Sequence, residues 1–207
     1  MAGQAEASGD WIDGFLFLGN QLALDFLNTR PVLDEGPTEL LSDMKALERW
    51  LIAAGVLSPS TDGARTRRWR ESPKGEAFLK KLQAFREELR TEVMHLERGQ
   101  PISEAFLDKL NRLLQEHPSR MAVQRQAKEL SLNLVFDPRE PEDIWAPIVA
   151  AVGDLLSGVP KGRVRKCESE TCVLHFYDTS KKGSRRWCSM NLCGNKVKVA
   201  AYKERNR

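Results

Sequence analysis

Apolar residues recur at helical spacing along most of the chain. In SDMKALERWLIAAG (residues 42–55), Met44, Leu47, Leu51 and Ala54 return every three or four positions, so they share one helix face. Ser42 is a candidate N-cap and Gly55 a candidate closing residue. A longer helix is expected from about Pro73 to Arg98. Its stripe is Phe78, Leu82, Phe85, Leu89, Val93 and Leu96, and Gly99 ends it. Ile102 and Ser103 read as the staple and cap of a further helix, with Leu107 and Leu110 beneath and Pro118 beyond its end.

The period then changes. Leu130, Leu132, Leu134 and Phe136 alternate with Ser131, Asn133 and Val135, the pattern of a strand with one face buried. Met121 to Gln126 is a candidate partner, giving a hairpin that Asp137-Pro138 stops. Ile144, Ile148, Val152 and Leu155 restore the helical period up to Gly158, with Pro147 marking a kink or a start. The segment SGVPKGR reads as a linker. The expected fold is therefore mainly α with a small β-hairpin: a helical domain over residues 1–160, then a small module over 161–207 that ends in a helix.

Composition sharpens that boundary. The 207 residues are 41% hydrophobic and 29% charged, as in an ordinary soluble globular protein. The start MAGQAEASGDW has neither a basic nor an apolar leader region, and no run of about 18 apolar residues suggests a membrane span. A cytoplasmic setting is expected, with its thiols reduced. The net charge of +3 conceals an asymmetry. Residues 161–207 hold 13 Lys/Arg and 4 Asp/Glu, whereas residues 1–160 hold 19 and 25. A tail of +9 on a body of −6 points to a polyanionic partner for the tail.

All four cysteines also lie in the tail. Cys167 and Cys172 form C-x4-C, and Cys188 and Cys193 repeat that spacing after an interval of 15 residues. Two thiolate pairs on tight knuckles, joined by such a loop, suit tetrahedral Zn²⁺. Two disulfides or four unrelated buried thiols are the alternatives. Four thiolates would fill the coordination sphere, so the metal would be structural. His175 is then superfluous as a ligand and is expected to pack or make a polar contact. Gly194 is expected to allow a sharp turn after Cys193, and Asn195 to cap the final helix VKVAAYKERNR.

These residues also resemble a known family. C-x4-C, then HFYDTS, RRWCSMNLCGN and a basic helix are similar to the CGNR zinc finger. The stretches GNQLALDFLNT (residues 19–29) and ALERWLIAAGVL (residues 46–57) more loosely resemble the ABATE domain. That domain precedes such fingers in bacterial proteins described as stress-induced transcription regulators. The resemblance implies that Cys167, Cys172, Cys188 and Cys193 hold zinc. Lys196 stands where the family's motif ends in arginine, which keeps a phosphate contact but loses the bidentate fork.

The candidate nucleic-acid contacts are Lys181, Lys182, Arg185 and Arg186 before the second knuckle, and Lys196, Lys198, Lys203, Arg205 and Arg207 on the final helix. Trp187 is a core residue or a base-stacking platform. A second basic cluster, Arg65, Arg67, Arg68 and Arg70 around Trp69, is expected in a solvated loop. In LALDFLNT, Asp25, Asn28 and Thr29 share a helix face, as a buried polar network or as the lining of a small-effector pocket. The expected function is a DNA-binding transcription regulator, with homodimerisation open and RNA not excluded. The alternative is an enzyme or small-molecule binding protein in which the zinc module only stabilises. No nucleophile–base constellation or phosphate-binding glycine loop supports the enzyme, and His95, His117 and His175 are scattered.

Overall fold

The periodic stripes become helices in the computed structural model, which describes residues 10–33, 36–126, 129–135, 137–160 and 162–206. The helices are α1 (Leu22–Leu27), α2 (Met44–Ala53), α3 (Pro59–Arg70), α4 (Pro73–Glu97), α5 (Glu104–Glu116), α6 (Trp145–Gly158) and α7 (Asn195–Arg205). The described strands form antiparallel pairs: β1 (Trp11–Ile12) with β2 (Phe15–Leu16), β3 (Val32–Leu33) with β4 (Gly36–Pro37), β5 (Arg120–Gln126) with β6 (Glu129–Val135), and β7 (Val164–Lys166) with β8 (His175–Tyr177). None of these helices is long and apolar enough to cross a membrane.

Local chemistry sets the helix ends. Ser72 caps α4 by accepting from the Gly75 amide, Pro73 opens its first turn, and Gly99 closes it at a φ of +70°. Asp43, not Ser42, caps α2 by accepting from Ala46. Ser103 caps α5 as expected, but Phe106 and Leu110 face the core there rather than Leu107. Pro147 falls in the first turn of α6, after a 3-10 turn over Pro141–Ile144, where a missing amide hydrogen costs no helical bond.

The core of the body lies between α1, α2, α4, α5 and α6. Phe78, Leu82, Phe85, Leu89 and Val93 of α4 are all buried, and Trp145 sits edge-on to Phe85 with ring centroids 5.1 Å apart. Phe85 also stacks on Phe106 at 5.6 Å. Truncating one such side chain to alanine costs about 2–5 kcal/mol.

Two expectations are corrected. The basic cluster around Trp69 is helical (α3), not a loop. Trp69 is buried and donates its Nε1–H to the Pro138 carbonyl at 3.1 Å, while Arg70 bonds Glu48 at 2.6 Å. The hairpin does form, with Met121 opposite Leu134, Val123 opposite Leu132 and Arg125 opposite Leu130. Its apolar face is nevertheless open: Met121, Val123, Leu130 and Leu132 are 57%, 66%, 64% and 64% exposed. Alternation fixed which residues share a face, but no other described element comes to cover it. Phe136 lies outside the described residues.

Candidate metal centre and basic surface

β7 and β8 are held in register by backbone bonds, and the turn between them carries the first cysteine pair. Cys167 donates its amide to Leu174, and Cys172 donates to Ser169, both at 2.9 Å. In the second pair Cys188 precedes a π-helical turn, Met190–Gly194, and Cys193 lies within it; Ser189 caps the start of that turn by accepting from Asn191 and Leu192. The four sulfurs converge to within 4.8 Å of one another. Cys172 and Cys188 are 3.8 Å apart and Cys188 and Cys193 3.6 Å, and all four cysteines are free. A disulfide would need about 2.05 Å. A tetrahedron with metal–sulfur bonds of about 2.3 Å has edges of about 3.8 Å, so the spacing fits a metal ion.

The charges lead to the same answer. Hydrogen bonds from the neighbouring sulfurs hold the Cys167 thiol far below a free cysteine's range, and the same contacts push Cys172 and Cys188 far above it. Four sulfurs this close cannot all ionise beside one another. A divalent cation among them would let all four be thiolates, with release of the remaining protons.

The expected sharp turn at Gly194 is absent, since its φ of −60° is helical. Glycine is needed there for space: a Cβ would meet Met190 Sδ at 2.7 Å and Trp187 Cδ1 at 3.0 Å. Nor does Asn195 cap α7, because the π-helical turn runs straight into that helix and Ser189 caps the combined element. Asp178, which sequence reasoning passed over, ties the intervening loop by accepting from the Ser180 and Arg185 amides, each at 2.9 Å. Burial would raise its pKa, but these bonds hold the carboxyl below its ordinary value. Arg163 and Arg165 brace the same loop through the carbonyls of Asp178, Ser180 and Gly183. The Asp-Thr-Ser run in HFYDTS was the available signal, since such residues bond their own backbone in turns.

The module is docked on the body. Asn28, the residue that ends α1, brackets His175 of β8, donating Nδ2–H to its carbonyl at 2.8 Å and accepting its amide at 3.0 Å. Asp25 accepts from the Gly19 amide at 2.7 Å, and the Gly19 carbonyl takes the Tyr177 amide at 2.8 Å. Burial pushes the Asp25 carboxyl up to about 6. Thr29 donates to Phe26 and accepts from the buried Arg86, whose guanidinium also grips Glu39. The three residues weighed as a pocket lining thus meet protein partners. Leu16 and Leu18 pack with Leu174, Phe176 and three of the cysteines, so residues before α1 wall the metal centre. Asp10 accepts from Ser189 at 2.5 Å on the same side.

His175 is buried, its Nε2 3.7 Å from Glu97, and desolvation pushes its pKa down to about 4, so the ring packs as a neutral group. Of the basic residues, Arg185 turns inward. Its guanidinium donates to the Trp187 and Cys188 carbonyls and lies 4.4 Å from the Phe176 ring centroid. Arg186 pairs with Glu168 at 2.5 Å and covers Trp187, which is half-buried. Lys181, Lys182, Lys196, Lys198, Lys203 and Arg205 are exposed, and no ion pair among the described residues involves them. Arg207 lies outside the described residues.

Residues 163–206 match the family described as "CGNR zinc finger", and residues 20–159 match ABATE, described as "Putative stress-induced transcription regulator". No curated protein matches the chain. Neither family match reaches β1, β2 or Leu18.

Proposed function

The chain belongs to the ABATE family and continues into a CGNR zinc finger, and from that premise we propose that it is a DNA-binding transcription regulator of the cytoplasm rather than an enzyme. Cys167, Cys172, Cys188 and Cys193 would hold zinc, whose role is structural because four thiolates leave no position for a reactive water. The observation that carries the reading is the set of six exposed, unpaired cations on a module organised by that centre. In the competing reading of a purely stabilising module, the tail's cations would be neutralised by carboxylates. Among the described residues of the tail, the Lys/Arg side chains so placed are Arg165 and Arg186, both against Glu168.

Asp25, Asn28 and Thr29 are engaged by protein atoms, so the reading assigns them to holding the fold and not to an effector. The cations act by displacing counterions from phosphate. Six contacts give a slope of log K against log salt of about −5, hence roughly 10³-fold weaker binding at 200 mM than at 50 mM salt. Fluorescence anisotropy of zinc-loaded protein on a labelled 20-bp duplex tests this. Undetectable binding at 50 mM salt, or binding indifferent to salt, rejects the proposal.

A further inference from the structure

The final helix is exposed along nearly all of its length. Val197 is the half-buried residue at its start, and the helix packs chiefly against the adjoining π-helical turn. The Cys193 knuckle therefore fixes one end of α7 while its sides stand in solvent. An 11-residue helix would not hold by propensity alone, so this anchor is what presents it. The Asn206 side chain closes the other end on the Tyr202 carbonyl at 3.0 Å.

At 100° per residue, the faces of α7 sort by chemistry. Asn195, Val199 and Tyr202 stand at i, i+4 and i+7 and form one stripe, all exposed, with Val199 at 53% and Tyr202 at 64%. Lys196 and Lys203, seven apart, border the stripe on one side, and Lys198 and Arg205, again seven apart, border it on the other. Val197 and Glu204, the helix's one acid, lie on the opposite side. The stripe thus faces away from the half-buried side of the helix and from its negative charge. Exposing a valine and a tyrosine there serves no core.

This arrangement matches a nucleic-acid groove. A helix about 10–12 Å across fits the B-DNA major groove, about 12 Å wide, where two phosphate strands flank the base edges. A cation row on each side meets one strand each. The central stripe offers an amide suited to adenine, an apolar group suited to the thymine methyl, and a phenol able to hydrogen-bond. The major groove of A-form RNA is too narrow and deep to admit such a helix.

We infer that α7 is the sequence-reading element, lying in the major groove of duplex DNA. Asn195, Val199 and Tyr202 meet base edges there, and Lys196/Lys203 and Lys198/Arg205 meet the two backbones. The inference rests on the DNA-binding reading above and adds which element reads and how.

The test uses full-length zinc-loaded protein and a randomised 20-bp duplex pool. Bound sequences are selected for the native chain and for Asn195→Ala, Val199→Ala, Tyr202→Ala and the double variant K196A/K203A. Zinc content and melting temperature, expected to be unchanged, verify folding. Asn195→Ala should flatten base preference at its own position by roughly 5- to 150-fold, and Val199→Ala and Tyr202→Ala should do so by less, all three keeping the salt slope. K196A/K203A should keep the preference and lower the slope by about 2. A duplex RNA of the selected sequence should bind more weakly than the DNA. The same selected sequence from native chain and all three stripe variants overturns the inference while leaving DNA binding intact. Preference for the RNA duplex overturns it too. Failure of the native protein to bind any duplex removes the underlying reading instead.

Discussion

Replacing Asn28 by alanine should loosen the docking of the metal module on the helical body. Asn28 satisfies both backbone groups of His175, a residue 2% exposed, through bonds of 2.8 and 3.0 Å. Without the amide, a buried N–H and a buried C=O lose their partners, at about 1–3 kcal/mol each. Tyr177 keeps its separate bonds to Gly19 and Asn20, so β8 remains attached at one point. The expected loss is about 3 kcal/mol, equal to roughly 100-fold more frequent opening. Urea denaturation of the zinc-loaded variant would give the total, and amide hydrogen exchange at His175 would locate it. A chelator should also strip zinc faster from the variant, because an open module exposes its sulfurs. An unchanged urea midpoint, together with unchanged exchange at His175, would refute the claim that this bracket joins the two parts.

Asp25 provides a test in pH. Burial raises its pKa to about 6 from 3.8, so its contribution to stability is full below about pH 4 and is lost as pH rises through 6. Asp25→Asn should therefore be the more stable protein at pH 7.5, by up to about 3 kcal/mol, with the gap closing below pH 4. Parallel stability curves would dismiss this reading. Asp178→Ala should cost about 1–3 kcal/mol by freeing the Ser180 and Arg185 amides, seen as faster exchange at Arg185 with zinc retained. Leu18→Ala opens space beside the cysteines and should cost about 2–4 kcal/mol, with faster zinc loss to a chelator as the readout. Zinc loss at the native rate would mean that the N-terminal residues do not support the centre.

The helical stripes and the cysteine pairs were legible because each is a local signal. Period 3.6 in the run from Phe78 to Val93, and the doubled C-x4-C, need no knowledge of distant residues. α3 was missed because its sequence has no apolar stripe: Trp69 is its main core contribution, amid arginines that suggested a solvated loop. The exposure of Met121, Val123, Leu130 and Leu132 could not be read, since alternation marks a common face but not whether anything covers it. The partners of Asn28 lie 147 residues away, so its bracket was visible only as a polar interruption in an apolar helix. Arg185 and Lys196 look alike in sequence, yet one is committed to carbonyls inside the second knuckle and the other stands free on α7.

The central claim is that one metal ion among four sulfurs turns scattered cations into a surface that holds DNA. The most direct measurement titrates zinc into metal-stripped full-length protein beside a labelled 20-bp duplex at 50 mM salt, following anisotropy. The account predicts no binding at first, a rise with added zinc, and a plateau at one zinc per chain. Equal binding before any zinc is added, or by a chain with all four cysteines replaced by serine, would contradict it.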